Sequence, residues 1–188
     1  MKKLLGAALL AILALSAAAV DTPAKNVMRD ARRMVDGWNA KNPEIVAQFL
    51  RSNGKDVTPA EVKSGIAWLA TSMAIADARV VIGKPREPKS LEGILVSAIP
   101  ALAVYHFPVD QPNQRIGMYF VIYAYSRDEG QHWSFEQFVN LDQEAFDMIH
   151  PELKKQFTLP FGSYRLSLSE DQDVDKLEVP EFKAGIAK

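Results

Sequence analysis

Residues 115–133 read RIGMYFVIYAYSRDEGQHW, and this stretch decides the fold. Successive side chains of an extended strand point to opposite faces, and in this stretch apolar residues occupy both. One face carries Ile116, Met118, Phe120, Ile122 and Ala124, and the other carries Tyr119, Val121, Tyr123 and Tyr125. A strand with one solvent-exposed face would alternate apolar and polar residues, so the pattern predicts a central strand covered on both sides. The tyrosine face either belongs to an ordinary core or lines a ligand cavity, a second layer or a dimer contact.

A tight hairpin turn is predicted directly after this strand. Ser126, Asp128, Gly130 and Trp133 are spaced as Ser-x-Asp-x-Gly-x-x-Trp. An aspartate can accept main-chain hydrogen bonds across such a loop, glycine permits a positive φ, and the tryptophan can cover the base of the hairpin. The spacing resembles the Asp-box, a turn that recurs in sialidase-type β-propellers and occurs singly in unrelated secreted proteins. A propeller needs several such boxes in a much longer chain, so the resemblance implies a structural turn without a catalytic role.

The chain before this hairpin begins with helices and continues with strands. Apolar residues recur at helical spacing over residues 27–38, 43–50 and 58–77, and Thr58 with Glu61 forms a capping box at the start of the third helix. Strands are predicted at residues 79–82, 94–107, 115–125 and 133–141. Pro100 lies within the second of these and has no N–H to donate. That stretch should therefore be an edge strand, be bulged or form two strands.

Helical spacing returns from Asp142, and the acidic residues 169–178 predict a solvated tail. This order predicts an α+β domain in which N-terminal helices pack on a curved antiparallel sheet, a meander, with a C-terminal helix. The order of elements resembles small exported domains of nuclear-transport-factor-2-like or cystatin-like shape. The former resemblance implies a pocket between the sheet and the helices.

The first twenty residues have the layout of a secretory signal peptide. A Lys-Lys pair precedes an apolar run over residues 4–15 and small residues up to Ala19. A membrane anchor needs about 20 apolar residues, which is more than this run supplies. We expect residues 1–19 to be a signal peptide, residues 20–160 a single α+β domain, and residues 161–188 a C-terminal extension or tail. The mature protein is expected to be exported, periplasmic or secreted, and bacterial.

Composition excludes several classes of partner. Without the two lysines of the signal, 20 of the 22 basic residues remain against 23 acidic ones, a formal charge of −3. This balance provides no electrostatic attraction to nucleic acid or to anionic lipid, so neither partner is expected after signal cleavage. The chain has no cysteine, and packing alone must hold the domain together. It also has no G-x-S-x-G nucleophile motif and no glycine-rich phosphate loop, and no cofactor is expected.

The sequence gives little support for a metal site or for catalysis by paired carboxylates. His106, His132 and His150 lack the spacing of zinc ligands, and no metal site is expected. Residues 171–182 begin like a calcium loop but fail at the glycine and glutamate positions that the loop requires. Glu136 and Asp128 could flank one end of the hairpin as paired carboxylates, although a glycosidase role would also need a cleft.

The leading functional hypothesis is a non-catalytic exported domain that binds a small molecule or an envelope protein. Its contact residues would be Tyr119, Tyr123, Tyr125 and His106. One alternative is a small enzyme with a pocket between sheet and helices, in which His106 and Asp77 are polar groups in apolar surroundings. Another is an envelope inhibitor or immunity-type protein that presents the 108–114 loop or the 126–133 turn to a partner enzyme. The tyrosine face is also compatible with a homo-oligomer.

Overall fold

The computed structural model describes residues 22–52, 54–72, 75, 77–106, 115–138, 148, 151, 164–169 and 172–179. The expected signal peptide, the 108–114 loop, His150, most of the helix expected after Asp142 and the end of the C-terminal extension lie outside these residues. Within the described residues, no helix is both long and apolar enough to cross a bilayer.

Among the residues described above, three helices form the N-terminal layer. They are α1 (Pro23–Asn39), α2 (Pro43–Phe49) and α3 (Pro59–Ser72). Each begins with proline directly after a polar capping residue, the arrangement that suits proline's fixed φ and missing N–H. At the start of α3, the Thr58 N–H donates to the Glu61 carboxylate at 2.7 Å, and the Glu61 N–H donates to Thr58 Oγ1 at 3.3 Å. These two bonds confirm the predicted capping box.

The helices differ in how firmly they are packed. α1 buries an apolar stripe against the sheet, formed by Val27, Ala31, Met34 and Val35. α3 buries only Val62 and leaves Trp68 54% exposed. Because burial of apolar surface is the main stabilising term, α3 is the helix that can shift at the smallest free-energy cost.

In the described part of the chain, eight strands form one sheet. They are β1 (Leu50–Ser52), β2 (Lys55–Asp56), β3 (Asp77–Ile82), β4 (Lys89–Leu91), β5 (Ile94–His106), β6 (Arg115–Ser126), β7 (Ser134–Phe138) and β8 (Tyr164–Leu168). Their order is β2-β1-β7-β6-β5-β3, with β4 paired to the start of β5 and β8 to the start of β6. β5, β6 and β7 form the predicted antiparallel meander, whereas β1 pairs with β7 in parallel. The α+β class is confirmed, and the sheet is mixed because the two first helices return the chain to the edge beside β7.

β5 is one continuous strand in spite of Pro100. The Pro100 carbonyl accepts the Gly83 N–H at 2.8 Å. The nitrogen and carbonyl of a strand residue point to the same side, so the Pro100 nitrogen faces the loop that follows β3. β3 pairs with residues 101–106 of β5, and β4 pairs with residues 94–96. Pro100 therefore lies at a local edge between two short strands, which is one of the three arrangements that its sequence predicted.

The side chain of Asn39 occupies the outer edge of β3. Its Nδ2 donates to the Val80 carbonyl at 2.9 Å, and its Oδ1 accepts the Val80 N–H at 2.8 Å. β3 ends the strand order on one side of the described sheet. The amide of Asn39 thus replaces one peptide unit of a neighbouring strand at an edge that would otherwise expose both groups.

Apolar clusters cover both faces of the sheet. On the helical side, Ile99, Phe120, Ile122 and Phe135 pack with the stripe of α1. On the outer side, Leu102, Val104 and Tyr119 pack with Leu168 and Val174. Both faces of β6 are therefore covered, as its sequence predicted.

The outer cluster includes residues of the C-terminal extension. Val174 opens a short 3-10 helix, Val174–Lys176, and is 8% exposed. Leu177 and Val179 pack against the same cluster, whereas Asp173 and Lys176 are exposed. The expectation of a solvated tail over residues 169–178 is therefore wrong on this side. Charged residues outnumber the apolar ones in the stretch, and their abundance conceals the contacts that Val174 and Leu177 make.

Candidate functional site

A cavity, which we call the outer cavity, lies between the helical layer and the edge of the sheet. Its volume is about 40 Å³. The apolar part of its lining comes from Trp38 of α1, Ile66, Leu69 and Ala70 of α3, Ile75, and Ala78 of β3. Two charged residues, Lys41 and Asp77, complete the lining. An apolar enclosure with a few polar groups at one side is the usual composition of a small-molecule site.

A second cavity, the inner cavity, adjoins the first. Its volume is about 30 Å³, and its walls include Met34, Trp38, Val46, Val80, Phe120 and Ile122. Trp38 borders both cavities. Room for one water molecule requires about 10–15 Å³, whereas a site for a drug-sized ligand has roughly 300 Å³ or more. As they stand, the cavities suit a small apolar group, and a larger ligand requires one wall to move.

The two charged residues of the outer cavity form a loose ion pair. Lys41 Nζ lies 3.6 Å from Asp77 Oδ1, and the two side chains are 57% and 50% exposed. Solvent screening limits such a pair to about 0–1 kcal/mol. Lys41 has a φ of 54°, and its N–H donates to the Trp38 carbonyl at 2.9 Å. The end of α1 thus holds the lysine and the tryptophan of the cavity together.

The ladder registers bring two residues singled out in the sequence next to each other. Asp77 of β3 lies opposite His106 of β5, and His106 lies opposite Arg115 of β6. Directly opposed residues have Cβ atoms about 4.5–5.5 Å apart. Asp77 and His106 were each predicted as candidates, but their adjacency depends on a strand register that no local pattern specifies. Arg115 Nη1 donates to the Gln172 carbonyl at 3.1 Å.

The three tyrosines share one face of β6, and most of that face is covered. Tyr119 is 8% exposed and Tyr123 1%, while Tyr125 is partly exposed. The Tyr119 hydroxyl donates to the Glu178 carbonyl at 3.4 Å, and the rings of Tyr123 and Tyr125 stack with their centroids 5.8 Å apart. The inner cavity is lined by β6 residues of the opposite face. The assignment of the tyrosines and His106 as ligand contacts stays a prediction.

Glu136 is a buried carboxylate on the tyrosine face. It is 1% exposed, and its carboxylate accepts the N–H of Gly54 in the turn between β1 and β2. The register places Glu136 opposite Tyr123 and beside Arg51. Burial raises the pKa of Tyr125, the nearby charge of Glu136 raises it further, and Arg51 opposes the change. Tyr125 is therefore a neutral phenol at physiological pH, and Glu136 holds the β1–β2 turn against β7.

The turn after β6 is closed by a compact set of hydrogen bonds. Ser126 Oγ donates to Asp128 Oδ1 at 2.7 Å and accepts the Gly130 N–H at 2.9 Å. Asp128 Oδ1 accepts the His132 N–H at 3.0 Å, and Asp128 Oδ2 lies 2.7 Å from His132 Nδ1. Partial burial raises the pKa of Asp128, but these hydrogen bonds outweigh it and lower the pKa from 3.8 to about 2. The identity of the turn as an Asp-box stays a prediction.

The same turn is fixed to α1. Asn26 Nδ2 donates to the Gly130 carbonyl at 2.8 Å, and the Trp133 N–H donates to Asp30 Oδ2 at 3.2 Å. Asn26 and Asp30 are 6% and 2% exposed. The carboxylates of Asp128 and Glu136 have separate partners in the turn and in the sheet. The turn therefore joins the helical layer to the sheet.

Sequence reasoning missed Trp38 and Lys41 as cavity residues. Trp38 continues the apolar stripe of α1, which made it indistinguishable from a core residue, and Lys41 follows the helix end without any motif. A cavity depends on the spacing between layers, and a single sequence does not report it. In the part of the chain that the structure describes, no three His, Cys, Asp or Glu side chains are close enough to share a metal ion.

No protein-family model matches the chain, and no curated protein matches it significantly. One similar solved structure is a proposed scytalone dehydratase from Novosphingobium aromaticivorans DSM 12444, with 11% identity, a TM-score of 0.42, and coverage of 60% of this chain and 79% of that chain. Another is an uncharacterised cystatin-fold protein from Novosphingobium aromaticivorans, with 15% identity, a TM-score of 0.30, and coverage of 58% of this chain and 95% of that chain. The second description names a fold that the order of elements resembled. At these TM-scores neither likeness carries an argument about function.

Proposed function

We propose that the mature protein is an exported, non-catalytic domain that binds a small, mostly apolar molecule between its helical layer and its sheet. The observation that carries this proposal is the pair of adjoining cavities that share Trp38 as a wall. Apolar walls favour apolar occupants over water. The signal-peptide layout of residues 1–19 supports export to the periplasm or the medium.

The helix α3 is the wall that can admit such a ligand. It contributes Ile66, Leu69 and Ala70 to the outer cavity, yet it buries only Val62. A helix with so little buried surface can move outward at low cost, and this motion would enlarge the outer cavity. The ligand would replace the lost helix contacts with its own apolar surface.

The proposal can be tested by titrating 1-octanol and following the methyl NMR signals of Ile66, Leu69 and Ile75. Ala78→Val places two more carbons inside the outer cavity and should weaken octanol binding about tenfold, since filled space is no longer available to the ligand. Ala60→Val makes the same change on the exposed side of α3 and should leave the affinity unaltered. If octanol binds the Ala78→Val variant as tightly as the unmodified protein, the cavity is not the binding site.

The small-enzyme alternative has one observation in its favour. Asp77 lines the outer cavity, and His106 lies directly opposite it in the ladder. A carboxylate that orients an imidazole would fix its tautomer, and nitrogen NMR of the ring reports this tautomer directly. Loss of a fixed tautomer in an Asp77→Asn variant would favour this alternative, and an unordered imidazole in the unmodified protein would oppose it.

The inhibitor alternative and a homo-oligomer stay predictions. The 108–114 loop lies outside the described residues. Within the turn, Arg127–Glu129, Gln131 and His132 are exposed for a partner. Purification of the exported protein, followed by measurement of its mass in solution, distinguishes a monomer from a homo-oligomer or a complex.

A further inference from the structure

We infer that the ligand of these cavities is a small amphipathic anion, whose carboxylate binds Lys41 while its apolar chain enters the outer cavity. This inference rests on the proposed function and adds the chemical class of the ligand. It depends on the charges beside the cavity and on the position of Trp38.

The ammonium group of Lys41 is available to a ligand. Its distance of 3.6 Å from Asp77 exceeds the separation of about 2.7–2.9 Å that is typical of a charge-assisted hydrogen bond. Lysine has three donors, and more than half of this side chain is exposed. A carboxylate at the cavity can therefore approach Lys41 more closely than Asp77 does in the structure.

The surroundings of Asp77 favour an anion over a cation. The strand register places His106 opposite Asp77 and Arg115 next in the same row. Arg115 donates to the Gln172 carbonyl, a neutral acceptor that leaves its charge uncompensated by that contact. Arg115 lies on the sheet face that the C-terminal extension covers, and Lys41 lies on the cavity side, so Asp77 has a positive charge on each side of it. At the cavity, Lys41 attracts an anionic head group and repels a cationic one.

The apolar end of the ligand has a defined direction. Lys41 is held at the end of α1 by main-chain bonds, its own N–H to the Trp38 carbonyl at 2.9 Å and the Asn42 N–H to the Gly37 carbonyl at 2.8 Å. From this point the outer cavity continues along Trp38, which also borders the inner cavity. A linear carboxylate with its head at Lys41 would therefore lie along the indole with its tail directed inward. Each methylene that becomes buried should tighten binding about fourfold.

The test compares octanoate, octylammonium and 1-octanol, which share one chain length and differ in head-group charge. Calorimetric titration at pH 7 should give at least tenfold tighter binding for octanoate than for octylammonium. Lys41→Met keeps most of the side-chain length and removes the charge. It should therefore weaken the affinity for octanoate about tenfold and leave the affinity for octanol unchanged. Lys63→Met removes an exposed charge from α3, away from the cavity lining, and should change the affinity for neither compound.

The outcomes separate this inference from the proposed function. Equal or tighter binding of octylammonium, or an unchanged octanoate affinity in the Lys41→Met variant, overturns the anionic ligand while octanol binding still supports the cavity. Failure of all three compounds to bind overturns the inference and the proposed function together. Thermal unfolding of both lysine variants checks that each remains folded.

Discussion

Replacement of Asn39 by alanine is a direct test of how the helical layer is joined to the edge of the sheet. The substitution removes both hydrogen bonds between the Asn39 amide and the main chain of Val80, which measure 2.9 and 2.8 Å. A protein hydrogen bond contributes about 0.5–1.5 kcal/mol net, so the pair contributes about 1–3 kcal/mol. Asn39 is only half-buried, and water can reach part of the site. Alanine also favours a helix over asparagine by up to about 0.7 kcal/mol.

The expected net loss for Asn39→Ala is therefore about 1–2 kcal/mol in the free energy of unfolding. Urea denaturation followed by circular dichroism measures it as a shift of the midpoint at constant slope. Arg32→Ala, an exposed change on the same helix, should have a free energy of unfolding within about 0.5 kcal/mol of that of the unmodified protein. An Asn39→Ala protein as stable as the Arg32→Ala control would refute the reasoning. Sedimentation of the variant also reports whether the uncovered edge of β3 promotes self-association.

Three further predictions concern the turn and the N-terminus. Since the pKa of Asp128 is lowered to about 2, its ionised form stabilises the fold. Asp128→Asn should therefore lower the free energy of unfolding by about 1 kcal/mol at pH 6, after allowance for exposure. Urea titrations should show this difference shrinking as the pH falls from about 5 towards 2. Gly130→Ala should lower the thermal midpoint more than Gly93→Ala. Both glycines have positive φ, +84° and +83°, but only at Gly130 would the new Cβ meet another residue, Pro23, at 2.7 Å. Equal midpoints would contradict the close approach to α1. Mass spectrometry of the exported protein should find a chain that begins at Val20, and an intact residue 1 would contradict signal cleavage.

Local patterns predicted the elements that have strong local signals. The capping box at Thr58 and Glu61 located the start of α3, and the two-faced apolar run over residues 115–125 located the central strand. The parallel pairing of β1 with β7 was missed because a three-residue strand has no measurable period, and its partner lies far along the chain. Glu136 had one visible signal, a charged residue within an apolar strand. Its partner Gly54 lies in the turn between β1 and β2, and only the folded sheet brings that turn near Glu136.

The attachment of α1 to the turn after β6 has a consequence for the order of folding. Asn26 and Asp30 bond to residues 104 and 103 positions further along the chain. Closing so long a segment has an entropic cost that the formation of the helix alone does not offset. Topologies rich in distant contacts therefore fold slowly. The first helix must therefore wait, with two polar side chains still hydrated, until the turn after β6 is available to it. A nascent chain that ends before Trp133 should be easily digested by protease, and protection should arise abruptly once that residue is available.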